Sequence, residues 1–179
     1  MSAIANELGV SAQALYWHFP SKEALLHAFL LRTLQRTVTV FIEATEAEGS
    51  ASAKLAALVR AHVHLELEGA DGESFGSWYS ASLLSVKLPD DVEREFRRLN
   101  RASLQIYRDV LSTGHESGEF REIDVLTTAF AISSMCTAVA TWAKPSVSRT
   151  GMIADRFVDL ALAMVSARKT ARRQPSPRS

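Results

Sequence analysis

Cysteine is nearly missing from this chain of 179 residues: Cys136 stands alone, which excludes an intramolecular disulfide and a thiolate-built zinc or iron–sulfur site. Charge of one sign is also missing. Twenty Lys and Arg offset twenty Asp and Glu, so no long-range field draws the chain to nucleic acid, and any DNA affinity must come from local geometry. There is no basic stretch leading into an apolar core at the N-terminus, hence no visible signal peptide, and a cytoplasmic location is expected. G-x-S-x-G, P-loop and dinucleotide fingerprints are absent, and so is a paired set of carboxylates. The chain is therefore not expected to be an enzyme or to carry a cofactor. His62 and His64 lie two apart, on nearly opposite sides of a helix, so they cannot chelate one metal ion. Long charge-free runs are limited to 125–143, whose Thr, Ser and Ala content suits a buried helix in a soluble bundle better than a membrane span. Strand-like alternation and internal repeats are lacking, which leaves an all-α chain.

What is present is helical periodicity over 47% hydrophobic residues, enough for a sizeable core. The opening run reads as two short helices. Ile4 and Leu8 share a face, Gly9 takes the left-handed conformation that ends the first helix, and Ser11 caps the second. Leu15 and Phe19 repeat the four-residue spacing, and small Ala5 permits a close crossing, the pattern of a helix-turn-helix. Pro20 stops the second helix, while Ser21 and Glu23 start a third.

That third helix is expected over 22–48, with Leu25, Phe29, Leu34, Phe41 and Thr45 along a drifting apolar stripe, until Gly49-Ser50 stops it. A further helix spans roughly 52–68 and ends in a turn at Gly69-Ala70-Asp71-Gly72, and a shorter aromatic one covers 75–86. Pro89, Asp90 and Asp91 open a helix that Gly114 closes. Asp124 caps the apolar helix, which Lys144-Pro145-Ser146 ends. The last helix, about 150–167, carries Ile153, Phe157, Leu160, Ala161 and Met164 on one side, and a basic tail over 168–179 has too little apolar surface to fold. Cys136, in apolar surroundings, reads as an inert core thiol.

The run Ile-Ala-x-x-x-Gly-Val-Ser-x-x-x-Leu-Tyr-x-His-Phe-x-x-Lys-x-x-Leu strongly resembles the tetracycline-repressor (TetR) family of bacterial transcription regulators. The resemblance implies an N-terminal helix-turn-helix over 1–21, a connecting helix over 22–48, and a ligand-binding and dimerisation bundle over 49–167. It puts Ser11, Ala12, Gln13 and Ala14 where base edges are approached, Tyr16, His18 and Lys22 where phosphates are touched, and Trp17 between them. Glutamine suits adenine and alanine a thymine methyl, whereas tyrosine and lysine fix register on phosphates. Family members normally place another helix before this motif. The helix-turn-helix is thus expected to be incomplete and marginal, with Lys22 and Arg32 merely offsetting Glu7 and Glu23.

By the same resemblance, a small-molecule pocket is expected from Trp78, Tyr79, Phe96, Tyr107, Phe130 and Met135, with His62, Ser103 and Ser134 as polar contacts. The region from Trp142 through Asp155-Arg156-Phe157-Val158-Asp159-Leu160 looks like members that control lipid, steroid or acyl-CoA catabolism, so a neutral or acidic apolar effector is expected. The last two helices would pair in a homodimer that reads a palindromic double-stranded operator; the duller alternative makes both of them monomer core. The implied function is a ligand-released repressor. The alternative is a helical small-molecule-binding dimer that has lost DNA recognition.

Overall fold

The computed structural model describes residues 1–47, 49–68, 88–143 and 147–166, and among them no strand is present apart from a lone bridge between Phe120 and Ser166. The expected helix over 75–86, the turn at 69–72, the stop at 144–146 and the tail over 168–179 lie outside the described residues. The helices are α1 (Ser2–Glu7), α2 (Ala12–His18), α3 (Lys22–Glu46), α4 (Ala51–Leu67), α5 (Asp90–Glu116), α6 (Val125–Trp142) and α7 (Val147–Val165).

Short-range chemistry sets most of these boundaries. Gly9 takes φ +66°, ending α1, and the Ser11 hydroxyl accepts a hydrogen bond from the Ala14 N–H at 3.0 Å to begin α2. Ser21 does the same for α3 through Ala24 N–H at 3.1 Å, Ser50 for α4 through Ala53 N–H at 3.1 Å, and Asp124 for α6 through Thr127 N–H at 2.6 Å. In α3 four threonines, Thr33, Thr37, Thr39 and Thr45, return their hydroxyls to the carbonyl one turn earlier.

Helix α4 is the axis of the bundle. Leu55, Leu58, Val59 and Val63 are fully buried, with α3, α5, α6 and α7 packed around them. Burial of each such side chain contributes about 1.5–3 kcal/mol before chain entropy is subtracted. Helices α5 and α6 add Tyr107, Leu111, Ile132, Cys136 and Val139, and α7 adds Ala154, Ala161 and Val165.

Four expectations need correction. In α3 the buried positions are Leu30, Leu34 and Phe41, whereas Phe29 is exposed, because the core sees the next position of the turn. Leu160 points outward from α7, where Ala154, Phe157, Val158 and Ala161 take the core face. Gly114 does not close α5; the helix runs through it to Glu116, and Gly118, at φ +74°, makes the turn. Gly114 is needed for room instead, since the Phe120 ring occupies the space a β-carbon would take. Helix α6 is long and apolar enough to cross a membrane by composition alone. Only one face of it is buried, through Ala129, Ile132, Cys136 and Val139, so the expectation of a wholly buried helix is replaced by a two-faced one.

The first turn of α4 is held from far along the chain. The Glu119 carboxylate accepts from the Ala51 N–H at 2.8 Å and the Ser52 N–H at 2.9 Å. Its hydrogen bonds to the Ser52 side chain and backbone hold its carboxyl below the usual range. A carboxylate with a depressed folded pKa contributes its stability in full above its unfolded value, about 4.3, and loses it as pH falls through the folded value. Glu119→Gln should therefore cost about 1 kcal/mol at neutral pH, by analogy with helix caps. In urea titrations at pH 7 and pH 3, the gap between wild type and variant should shrink towards zero at the acid end. A constant gap would discard this role for the carboxylate.

Candidate functional site

The first candidate surface is α2. Leu15 is its single buried side chain, Ala5 is the buried residue of the adjoining α1, and Val10 N–H donates to the Ala5 carbonyl at 2.9 Å to fix the turn. Everything else on α2 faces outward or nearly so. Gln13, Ala14, Tyr16, Trp17 and His18 are exposed, Ala12 is half-buried, and exposed Lys22 begins the next helix. Trp17 is 87% exposed, so core packing does not account for it. Ser11 is also exposed, but its oxygen is engaged in the cap. Leu8, expected to share a face with Ile4, is 62% exposed.

The second candidate is a cavity of about 480 Å³ between α3, α4, α5 and α6, within the range that holds small ligands, roughly 300–1,000 Å³. Of the expected pocket residues, His62, Ser103, Tyr107, Phe130 and Ser134 line it. Trp78 and Tyr79 lie outside the described residues. Met135 and Phe96 are not among the residues that line it. The α6 wall follows helical spacing through Phe130, Ser134, Thr137 and Thr141, and Met135, one step round from Ser134, turns into the core. Phe96 lies a turn before Asn100, where the lining of α5 starts.

Sequence reasoning passed over the cavity's polar group, Glu66 with Thr137, and its apolar wall, Leu34 and Phe41. The available signal was His62 and Glu66 at the four-residue spacing of one helix face. His62 Nδ1 lies 2.9 Å from the Tyr107 hydroxyl, and its Nε2 lies 3.3 Å from Thr137 Oγ1 and 3.6 Å from Glu66 Oε1. Burial, first of all, raises the Tyr107 hydroxyl well above its ordinary pKa of 10, so it keeps its proton. We assign that proton to the bond with Nδ1, which leaves the Nε2 proton facing Thr137 and Glu66. Phe41 packs on both rings, 4.9 Å from His62 and edge-on to Tyr107 at 5.7 Å. The neighbouring Cys136 thiol is pushed up to about 12, chiefly by burial, so it stays a neutral thiol. Among the described residues no cluster of three or more His, Cys, Asp or Glu is placed to hold a metal ion.

Helix α3 joins the two candidates. Its first residue, Lys22, adjoins α2, and Leu34, Thr37 and Phe41 further along it form a cavity wall.

A sequence model described as "Tetracyclin repressor-like, C-terminal domain" matches residues 48–165, and one described as "Bacterial regulatory proteins, tetR family" matches residues 1–29. No curated protein sequence matches. Among solved structures, a regulatory protein in the tetR family from Rhodococcus RHA1 is 28% identical, with a TM-score of 0.76 over 92% of this chain and 85% of its own. The TetR family transcriptional regulator PfmR of Thermus thermophilus is 27% identical, with a TM-score of 0.77 over 90% of this chain and 86% of its own. The transcriptional regulator FadR of Bacillus subtilis, solved in complex with stearoyl-CoA, shares the fold at 20% identity, with a TM-score of 0.68 over 90% of this chain and 86% of its own.

Proposed function

Because the chain belongs to the TetR family of bacterial transcription regulators, we propose that it is a homodimeric, cytoplasmic repressor that leaves a palindromic operator when a small apolar or acyl-type effector enters the cavity. The observation that carries this reading is the continuity of α3 from Lys22, beside the exposed face of α2, to Phe41 in the cavity wall. An effector that binds one arrangement of that wall better than the other biases the position of α2 by its differential affinity. The stearoyl-CoA held by the Bacillus subtilis structure supports a lipid-like or acyl-CoA effector. Apolar side chains exposed on the last two helices, Leu126 and Trp142 on α6 and Met152 and Leu160 on α7, support pairing through those helices.

In this reading Gln13, with Ser11, Ala12 and Ala14 around it, meets base edges, while Tyr16, His18 and Lys22 hold phosphates and Trp17 lies against the groove wall. Selection of bound duplexes from a random pool at low salt should yield a palindrome with two half-sites one helical turn apart, or a multiple of it. If no sequence is enriched, the repressor reading fails and a ligand-binding dimer without DNA recognition takes its place. On the selected operator the two kinds of contact should separate. Gln13→Ala should cost about 1–3 kcal/mol and relax preference at one base pair per half-site, whereas Lys22→Ala should weaken all sequences alike and flatten the salt dependence by about one counterion per half-site. Fluorescence anisotropy across a salt series measures both.

A further inference from the structure

Glu66 carries a carboxylate oxygen that has no hydrogen-bond partner among the described residues. Glu66 is a buried residue whose side chain is 10% exposed, and it lines the cavity directly. One of its oxygens, Oε1, faces the His62 ring at 3.6 Å. The other, Oε2, is fully buried and has no hydrogen-bond partner among the described residues. A carboxylate accepts and does not donate, and the group beside it is already committed: His62 Nδ1 pairs with Tyr107 and Nε2 with Thr137, while Glu66 Oε1 lies 3.6 Å from Nε2, beyond a hydrogen bond. Native interiors rarely leave such an oxygen unmatched, and where they do, the mismatch marks a place for something else.

We propose that the Glu66 carboxylate is the recognition point for the effector's polar end, a small rotation of the side chain bringing Oε2 to the cavity, and that the effector is an apolar molecule whose inner end donates a hydrogen bond, through a hydroxyl or an N–H. This rests on reading the cavity as the effector site. The apolar wall of Leu34, Phe41, Leu104 and Phe130 takes the body of the ligand, and its donor completes the valence of Oε2 in a site shielded from water. A free carboxylate is disfavoured there twice over: it has no proton to give, and it would bring like charge against Glu66. The cation in the lining, Arg101, is exposed at the rim and donates through Nε to the Arg97 carbonyl at 3.2 Å, so an acid is drawn to the mouth and leaves Oε2 unmatched. Of the neutral or acidic apolar effectors expected, this assignment favours the neutral ones.

The test uses three probes of matched length, octanol, octylamine and octanoate, titrated calorimetrically into the full chain below their aggregation limits. Octanol and octylamine are expected to bind at least tenfold more tightly than octanoate. Glu66→Leu should erase that preference. Glu66→Gln, which keeps a carbonyl acceptor but no charge, should retain octanol and weaken octylamine; circular dichroism establishes that each variant is folded. The proposal is overturned if octanoate binds as well as the donors, if the preference survives in both variants, or if neither donor binds. A chain that selects an operator yet ignores both donors refutes this assignment alone. One that binds them through Glu66 yet selects no DNA refutes the regulator reading alone.

Discussion

Gly114→Ala is expected to lower stability by about 3 kcal/mol, the upper end of what overpacking a core costs, and Tm by roughly 10 °C for a chain of this size. A β-carbon at this position would stand only 2.8 Å from Phe120 Cγ and would penetrate further into the Cδ2–Cε2 edge of the same ring. The ring has little room to withdraw. Phe120 is 4% exposed, its N–H donates to the Gly114 carbonyl at 2.8 Å, and the Arg121 N–H after it donates to the Val165 carbonyl of α7 at 2.9 Å. The obstacle is therefore tied to the backbone at two places. Helix propensity pulls the other way, since alanine is favoured over glycine by about 1 kcal/mol inside a helix, and the clash must exceed that gain. Differential scanning calorimetry of the single variant and of Gly114→Ala with Phe120→Leu separates the two contributions. The double variant should be less destabilised than the two single changes added together. A Gly114→Ala protein as stable as wild type would mean that the turn after α5 yields easily.

The second large effect concerns assembly. Met152 and Leu160 lie eight residues apart on α7, on one stripe of the helix, and are 68% and 55% exposed. Changing both to glutamate leaves the monomer core of Ala154, Phe157, Val158 and Ala161 untouched, so the circular dichroism spectrum should persist. Under the proposed pairing through α6 and α7, two charges in the apolar interface should nevertheless turn the chain monomeric in sedimentation. Operator affinity would then fall by a factor on the order of 10²–10⁴, because one half-site no longer raises the effective concentration at the other. Phe130 is a poorer place for this test, since it also lines the cavity. Should the double variant stay dimeric, pairing must run through another face.

The difference between what was legible in the sequence and what was not follows from distance along the chain. Caps at Ser11, Ser21 and Asp124 were readable because a helix start is settled within three residues. The resemblance of the opening run to the TetR family rested on equally local spacing, and the all-α fold was legible from helical periodicity and the lack of strand-like alternation. Gly114 was misread as a stop because its partner, the Phe120 ring, returns to the helix only after the turn at Gly118. Leu160 was misplaced for a related reason. A stripe through Phe157, Leu160 and Ala161 satisfies helical periodicity, yet only the packing of α4 against α7 determines which edge of the stripe is covered. In the cavity, residue type pointed to His62, Tyr107 and Phe130 but passed over Glu66, because a carboxylate in the last turn of a helix ordinarily faces water. Its burial is imposed by α3 and α5 closing over α4.

The four threonine hydroxyls bonded back along α3 bear on how a signal would travel. Each shares a carbonyl that also serves the helical ladder, and sharing of this kind favours curvature over straightness. Mechanically, α3 resembles a leaf spring more than a rigid rod. A ligand pressing on Thr37 and Phe41 would then be felt at Lys22 as a change of curvature, graded with the size of the ligand, rather than as the swing of a stiff arm.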